Sequence, residues 1–241
     1  MKKDTLIIIP VYNEEDNIGS VIDEINEKEP TVDIIVINDG SIDNTEKIVL
    51  SKGINILSLP FNFGYGNALQ LGFKYALQNN YNNVIQFDGD GQHNPADISK
   101  IKKTLDFNKY DIVIGSRFIN KSDFKISLSK KMALYFLKSL IYLFSNYKIN
   151  DPTSGLQGLS KKTYSYYSKP WNYPNDYPDA DVLIKMLKLG FTTIEIPVNM
   201  RSRSKGQSMH SGLKPFIYML KITLSILVVV LNCFFNRRRG C

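Results

Sequence analysis

The sequence predicts an α/β fold with a mostly parallel central sheet, and two observations carry this prediction. Residues 5–115 alternate short apolar, β-branched runs with stretches of helical periodicity, which is typical of strand–helix units that feed a parallel sheet. Of the 241 residues, 43% are hydrophobic and 12% aromatic, enough to fill a sizeable core. The sequence contains no internal repeat and no low-complexity linker. We therefore expect one globular domain over residues 1–212 and a basic, apolar tail over residues 213–241.

Six apolar runs predict the strands of this sheet. They are rich in Ile, Val or Leu and are bounded by Gly, Pro, Asn or Asp, which favour turns. Five of them belong to the first half of the chain, and the sixth follows a predicted helix. The runs are 6–9, 34–37, 54–59, 84–87, 112–114 and 192–198.

Helical patterns fill the intervals between these runs. Apolar residues at helical spacing predict a first helix around residues 18–25. Asp43 with Glu46 resembles a capping box, and Asn94 followed by Pro95 is a good pair for a helix start. Further helices are predicted to begin at 67 and to cover 126–147, 179–189 and 215–235.

The charge is unevenly distributed. The net charge is +7, yet the final 41 residues alone contain 8 basic and no acidic side chains. These basic residues accompany the densest apolar runs, a combination that favours a membrane surface over nucleic acid as the partner. Both cysteines lie in the last nine residues, and the first ten residues lack a signal-peptide core, so we expect synthesis in the cytosol.

The tail is expected to lie in the membrane interface or to re-enter it. Its uncharged stretch, 222–235, has 14 residues, which at about 1.5 Å per residue give about 21 Å against a hydrocarbon core of about 30 Å. Basic residues on both sides also favour two cytosolic ends, with a single span as the alternative. Residues 126–147 predict a second interfacial helix. For both segments, a core helix or a helix in a homo-oligomer remains open.

Polar residues gather directly after five of the apolar runs. In an open parallel sheet, ligands bind outside the carboxyl ends of the strands, so these segments are expected to form one site. Each segment alone is compatible with turns and helix caps, but five at one edge favour a binding site. They are 10–15, 38–41, 62–67, 88–93 and 115–117.

Asp88 and Asp90 give the most specific chemical indication in the sequence. Two carboxylates separated by one glycine at the end of a buried strand repel each other unless a cation or a proton lies between them. With the amide of Gln92 nearby, this oxygen-only set suits Mg²⁺ or Mn²⁺. A simple turn is the alternative. The sequence does not favour zinc, because His93 has only His210 as a further histidine.

The Gly64-Tyr65-Gly66 segment opens a predicted helix, where main-chain N–H groups can bind phosphate. The segment does not match a dinucleotide-binding fingerprint, because position 69 is Leu instead of Gly and the segment follows the third strand. A dehydrogenase of the Rossmann type is therefore not favoured.

Several motifs together resemble those of family-2 glycosyltransferases with the GT-A fold, in the branch of dolichyl- and polyprenyl-phosphate sugar synthases. The region 177–191 with the tail looks closer to bacterial enzymes that load hexoses onto undecaprenyl phosphate. The resemblance implies a nucleotide-diphosphate-sugar donor, with a UDP-sugar favoured, a divalent metal and inversion at the anomeric carbon. The matching motifs are IPVYNEE, NDGSIDNT, LPFNFGYGNAL, QFDGDGQHNP, GSRF, DPTSGLQG and RSKGQS.

The resemblance also implies roles for individual residues. Asp88, Asp90 and Gln92 match the motif for metal and diphosphate, Arg117 an arginine near the acceptor phosphate, and Arg203 an arginine near the donor phosphates. Two departures limit the comparison: Asn38 replaces a common Asp, and Gly89 and Gly91 replace bulkier residues. The positions expected at the nucleotide are Pro10, Tyr12, Glu14, Asp39, Gly64, Gly66 and Asp88.

The acceptor decides whether a general base is needed. A lipid phosphate is already ionised near neutral pH, whereas a sugar hydroxyl must lose its proton to a carboxylate. Asp151 and Asp181 are the candidate carboxylates. Asp181 matches an acidic position on the acceptor side of the family, but at a helix start it also stabilises the helix dipole, and both interpretations remain open.

The sequence thus predicts a glycosyltransferase at the cytoplasmic face of the cell membrane that makes a polyprenyl-phosphate sugar for cell-envelope glycans. The alternatives are transfer to a sugar hydroxyl of a surface polysaccharide and an inactive membrane scaffold. A sugar nucleotidyltransferase does not explain the apolar tail. Expected partners are the donor, polyprenyl phosphate and membrane lipid, without nucleic acid, and a homo-oligomer or a small membrane protein remains open.

Overall fold

A computed structural model describes residues 4–107, 109–119, 128–175, 178–201 and 214–235. Within these ranges the predicted α/β fold with a mostly parallel sheet is confirmed. The strands are β1 (Thr5–Val11), β2 (Asp33–Asn38), β3 (Asn55–Ser58), β4 (Asn83–Gln86), β5 (Ile112–Ser116), β6 (Gln157–Ser160) and β7 (Thr193–Pro197). The helices are α1 (Ile18–Lys28), α2 (Thr45–Ser51), α3 (Tyr65–Gln78), α4 (Ala96–Asp106), α5 (Leu128–Ser145), α6 (Lys161–Tyr167), α7 (Ala180–Lys188) and α8 (Lys214–Phe235).

The seven strands form one sheet in the order β3-β2-β1-β4-β6-β5-β7. All neighbours are parallel except β6, which runs antiparallel to both β4 and β5. The register pairs Val11 with Asn38 and Ile8 with Gln86, so β1, β2 and β4 end near one another. Because parallel strands share their carboxyl edge, the segments that follow these strands meet on the same side.

Strand β6 was missing from the sequence-based prediction. Its four residues, Gln-Gly-Leu-Ser, lack the β-branched pattern by which the other strands were recognised. A Cβ at Gly158 would lie 2.2 Å from Ile101 and 2.8 Å from Leu105 of α4. The glycine therefore lets α4 pack closely on the sheet, and this packing requirement overrides strand propensity.

Both faces of the sheet are buried. Side chains of β1 alternate between two cores: Ile7 and Ile9 pack with α1, α2 and α4, and Leu6 and Ile8 pack with α3 and α5 to α8. Burial on both faces explains why β1 reads as a continuous apolar run instead of an alternating one.

The two apolar helices predicted near the membrane, α5 and α8, belong to the same helical layer as α7, on one face of the sheet. Both contact α7, and the buried residues of α8 include Ile222 and Ile226. Other apolar side chains of α5 and α8 remain exposed, among them Tyr135 and Leu224. In the described ranges, no helix combines the length and the hydropathy needed to cross a bilayer. The membrane attachment of α8 and the boundary at residue 212 stay predictions.

Candidate active site at the carboxyl edge of the sheet

The loops after β1 and β2 are cross-linked by polar contacts. Asn13, with a φ of 53°, donates its N–H to Ser41 Oγ at 2.9 Å and accepts from the Ile42 N–H at 2.9 Å. The main-chain N–H of Glu14 donates to Thr45 Oγ1 at 2.9 Å. These contacts explain the Asn, Ser and Thr residues of both motifs, because each replaces a main-chain partner that irregular backbone lacks.

Asp39 fixes the loop between β3 and α3 by hydrogen bonds to its main chain. Its buried carboxylate accepts from the N–H of Phe63 at 2.7 Å and from the N–H of Gly64 at 2.9 Å. Gly64 has a φ of 98°, a conformation that a side chain disfavours. Asp39 therefore joins the end of β2 to the start of α3, and its predicted contact with the nucleoside remains a prediction.

The other predicted nucleoside contacts lie at the end of β1. Pro10 is buried within the strand, opposite Ile37 of β2, whereas the Tyr12 side chain is 44% exposed. The Glu14 carboxylate accepts from Asn17 Nδ2 at 2.7 Å. Tyr12 thus presents an aromatic surface next to the carboxyl edge, and the predicted nucleoside contacts of these three residues stay predictions.

Asp88 is held from two sides. Its Oδ1 accepts from the Tyr65 hydroxyl at 2.8 Å, and its Oδ2 lies 3.1 Å from His93 Nε2. Burial alone would raise the pKa of Asp88, but the hydrogen bonds from His93 and Tyr65 and the charge of Arg117 hold this pKa below its usual value. The carboxylate is therefore ionised and fixed in orientation.

Gly155, from the DPTSG motif, lies directly against this carboxylate. A Cβ at this position would be 2.0 Å from Asp88 Oδ2. We expect Gly155→Ala to displace the Asp88 side chain, to lower the free energy of unfolding by about 1–3 kcal/mol through overpacking, and to reduce turnover. Chemical denaturation and initial-rate assays measure the two effects. Wild-type turnover in a folded Gly155→Ala protein would contradict this assignment of the close contact.

Asp90 and Gln92 lie at the half-buried rim of the site. The Gln92 N–H donates to Asp90 Oδ1 at 3.0 Å, and the Gln92 carbonyl accepts from the Arg201 N–H at 2.7 Å. No cluster of three or more His, Cys, Asp or Glu side chains that could hold a metal occurs in the described residues. Two carboxylates with one amide fit Mg²⁺ or Mn²⁺, which commonly complete their shell with water and substrate phosphates.

Arg117 and Asp151 form a buried ion pair. The guanidinium donates from Nε at 2.7 Å and from Nη2 at 2.6 Å to the two Asp151 oxygens, and Nη2 also contacts Thr153 Oγ1 at 2.8 Å. The Asp151 side chain is fully buried, and its own N–H donates to Glu195 of β7 at 2.7 Å. Asp151 therefore acts here as the partner of Arg117, an arrangement that disfavours it as a general base. The predicted contact of Arg117 with the acceptor phosphate is untested.

The start of α3 is covered by residues 174–175. A Cβ at Gly66 would lie 2.0 Å from the Pro174 carbonyl oxygen, and the Asn67 N–H donates to the Asn175 carbonyl at 3.2 Å. Since the Gly64 N–H donates to Asp39, two main-chain donors of this segment already have protein partners. The proposed phosphate contact of Gly64 and Gly66 thus remains a prediction.

Asp181 lies in the first turn of α7. It is 4% exposed, and its oxygens accept from the Val182 N–H at 2.8 Å and from Ser225 Oγ of α8 at 2.5 Å. Burial raises the pKa of Asp181. These contacts give the carboxylate a structural role that a sequence pattern alone could not reveal. Arg203 falls outside the described residues.

Comparison with known proteins decides the family. The model for "Glycosyl transferase family 2" matches residues 6–167. The chain belongs to glycosyltransferase family 2. It is 29% identical over 240 residues to the UDP-N-acetylglucosamine–dolichyl-phosphate N-acetylglucosaminyltransferase of Methanococcus voltae, covering 90% of this chain and 95% of that protein. It is 27% identical to the polyprenol monophosphomannose synthase of Mycolicibacterium smegmatis, covering 86% and 81%.

The fold agrees with this membership. Glucosyl-3-phosphoglycerate synthase from Mycobacterium tuberculosis, solved with Mn²⁺, uridine diphosphate and phosphoglyceric acid, superposes with a TM-score of 0.70 at 19% identity. The match covers 95% of this chain and 78% of that structure. The family resemblance drawn from the sequence motifs is thus confirmed, as is the assignment of this glycosyltransferase to the GT-A-like α/β folds.

Three residues that contact or support the candidate site are not indicated by the motifs. Tyr65 was read only as part of a Gly-x-Gly segment, although its hydroxyl fixes Asp88. Glu195 accepts from the main chain at Asn150 and Asp151 at 2.7 Å each, so it supports the loop that holds Arg117. The available signal for Glu195 was a charged residue between two isoleucines in a predicted strand. The motif likewise gives no sign that His93 is a partner of Asp88, whose Oδ2 lies 3.1 Å from His93 Nε2.

Proposed function

We propose that this glycosyltransferase transfers a sugar from a nucleotide-diphosphate sugar, with a UDP-sugar favoured, to a polyprenyl phosphate at the cytoplasmic face of a membrane. The observation that carries the proposal is the combination of an ionised Asp88 beside Asp90 with exposed apolar faces on α5 and α8. The dolichyl-phosphate and polyprenol names of the two relatives support the same acceptor class. The UDP-bound neighbour is consistent with the donor class.

The reaction breaks the bond between the anomeric carbon and the donor diphosphate, so negative charge develops on the leaving group. Asp88, Asp90 and Gln92 would hold a divalent ion, which supplies charge stabilisation to that diphosphate. Asp88 needs a fixed orientation for this task, and Tyr65 and His93 supply it. Attack by the acceptor on the opposite face of the sugar gives inversion.

A phosphate acceptor removes the need for a general base, because its oxygen is already ionised near neutral pH. The environments of the two candidate bases favour this chemistry. Asp151 is paired with Arg117, and Asp181 is buried between α7 and α8. Transfer to a sugar hydroxyl is the second candidate, and it would require one of these carboxylates to leave its present partners.

The surface formed by the exposed side chains of α5 and α8 fits a lipid interface. On α8, Leu220, Leu224 and Leu231 are each more than half exposed. Helix α5 adds exposed apolar and aromatic side chains with lysines beside them, a combination that matches apolar insertion plus attraction to anionic lipid. The α5 residues are Leu128, Met132, Tyr135, Tyr142 and Leu143, with Lys130, Lys131 and Lys138.

A product assay tests the proposed function. UDP-, GDP- and dTDP-linked sugars are offered separately with undecaprenyl phosphate in vesicles and with added Mg²⁺ or Mn²⁺. We expect one donor to yield a chloroform-extractable, mild-acid-labile sugar lipid. Label that appears only in polymer would instead establish a hydroxyl acceptor. Absence of both products and of metal-dependent nucleotide binding in calorimetry would indicate a non-catalytic scaffold.

A further inference from the structure

The buried contact between Asp181 and Ser225 joins two elements with different tasks in the proposed function. Asp181 lies in the first turn of α7. Ser225 belongs to α8, on the buried side that includes Ile222 and Ile226. The Oγ–Oδ2 distance is 2.5 Å, and the Asp181 side chain is almost completely shielded from water. A hydrogen bond to a buried carboxylate is costly to remove, because the charge is left without its partner.

From α7 the contacts continue into the site. Tyr173 is buried against Tyr167 and Phe73, with ring centroids 4.6 and 5.3 Å apart. Its pKa is well above the usual value, because of burial and the nearby charges of Asp179 and Asp181. The buried Gln86 side chain, two residues before Asp88, lies near the Tyr173 hydroxyl and partly offsets this rise in the pKa. On its other side the segment contacts α7, where Lys185 Nζ donates to the Asn172 carbonyl at 3.3 Å. The segment around Tyr173 therefore lies between α7 and the strand that leads into the Asp-Gly-Asp motif.

A second contact joins the same segment to α3. Pro174 and Asn175 lie against Gly66, and the Asn175 carbonyl accepts from the Asn67 N–H. Tyr65, the residue before Gly66, donates its hydroxyl to Asp88. A continuous set of packed and hydrogen-bonded residues therefore runs from α8 to the carboxylate at the centre of the site.

We propose that Asp181 and Ser225 are positioning residues that fix the segment 172–175, and through it Tyr65 and Asp88, relative to the membrane helix α8. This inference rests on the proposed function, in which α8 contacts the membrane that supplies the acceptor. In this role Asp181 serves as a hydrogen-bond acceptor and not as a proton acceptor. The essential property is therefore the contact itself, which asparagine keeps in the reverse direction: its Oδ1 accepts from the Val182 N–H, and its Nδ2 donates to the Ser225 hydroxyl.

Three variants separate positioning from base catalysis. Asp181→Asn keeps a polar group of the same shape, whereas Ser225→Ala removes the hydroxyl. Thr223→Ala is the matched control, because the Thr223 hydroxyl on the same helix donates to the Met219 carbonyl within α8. For Ser225→Ala we expect kcat on polyprenyl phosphate in vesicles to fall about tenfold, with an unchanged KM for the nucleotide sugar. Asp181→Asn and Thr223→Ala should stay near the wild-type rate.

The opposite pattern overturns the inference. If Asp181 is a general base, Asp181→Asn loses about 10²- to 10⁴-fold in kcat while Ser225→Ala remains close to wild type. Equal rates in all four proteins also contradict a positioning role.

Hydrogen exchange supplies a readout that requires no substrate, so it separates this inference from the proposed function. Ser225→Ala should accelerate exchange of the Asn67 amide, because the Asn175 carbonyl that accepts from it is less firmly held. Thr223→Ala should leave this exchange unchanged. Unchanged exchange in Ser225→Ala overturns the inference even if the protein makes a sugar lipid. Conversely, faster exchange in a protein without sugar-lipid synthesis supports the contact path and contradicts only the proposed acceptor.

Discussion

Asp90→Ala is expected to abolish sugar transfer while leaving the chain folded. Asp90 lies at the rim of the site, so its carboxylate is placed to meet a divalent ion and the donor diphosphate. Loss of this charge should reduce kcat by at least about 10³-fold, a size typical for removal of a group that stabilises charge in the transition state. The folded state should not suffer, because the variant also removes repulsion with the neighbouring Asp88.

The measurement has two parts, and a matched control accompanies both. Turnover is assayed with saturating donor, and calorimetry compares nucleotide binding with and without Mn²⁺. Asp23→Ala is the control, since Asp23 is an exposed carboxylate whose partner is the surface residue Lys52. We expect Asp23→Ala to retain both activities. Metal-dependent nucleotide binding in Asp90→Ala that equals wild type would contradict the assignment of Asp90 to the metal.

The sheet was largely predictable from the sequence because its central strands are buried on both faces. Runs such as Ile34–Ile37 are therefore continuously apolar, which distinguishes them from the spaced apolar residues of an amphipathic helix. Strand β6 could not be found in this way, because its sequence is set by packing against α4. Gly158 leaves the space that Ile101 and Leu105 of α4 occupy. That requirement is a tertiary contact between distant segments, and local propensity does not encode it.

In the candidate site, too, some features follow from the local sequence and others depend on tertiary contacts. Asp88 and Asp90 were recognisable because two carboxylates after a buried strand require a cation or another source of compensation. The position of Asp181 on a helix start was also predictable, but its role was not, because a helix start suits both a dipole partner and a base. Only the packing of α8 on α7 reveals the contact with Ser225. Similarly, the role of Glu195 depends on a tertiary contact, because it accepts from the Asp151 N–H in a loop 44 residues earlier in the chain.

Replacing Leu220, Leu224 and Leu231 of α8 with Gln is expected to weaken membrane binding about 100-fold. Each of these side chains is slightly more than half exposed, at 55, 54 and 52%. Burial of a whole leucine stabilises by about 1.5–3 kcal/mol, so half of each side chain contributes about 1 kcal/mol on insertion. Three contributions of this size give about 3 kcal/mol, which corresponds to about two orders of magnitude in the partition coefficient. Vesicle sedimentation measures this coefficient.

The matched control replaces three exposed apolar residues elsewhere, Leu50, Leu77 and Phe107, with Gln. This protein loses comparable apolar surface from α2, α3 and the end of α4, and it should bind vesicles as the wild type does. Similar losses of binding in both proteins would show that general hydrophobicity, instead of the α8 face, determines the partition.

Point substitutions test the α8 face better than removal of the helix does. Ile222 and Ile226 belong to the core with α7, so truncation before residue 214 would open that core and remove Ser225 from Asp181. With the three exposed leucines replaced, the core is intact and donor binding should persist. Turnover on a long-chain lipid acceptor in vesicles should then fall far more than turnover on a short, soluble acceptor. Equal losses on both acceptors would mean that these leucines support the catalytic fold itself, and the assignment of the α8 face to the membrane would be wrong.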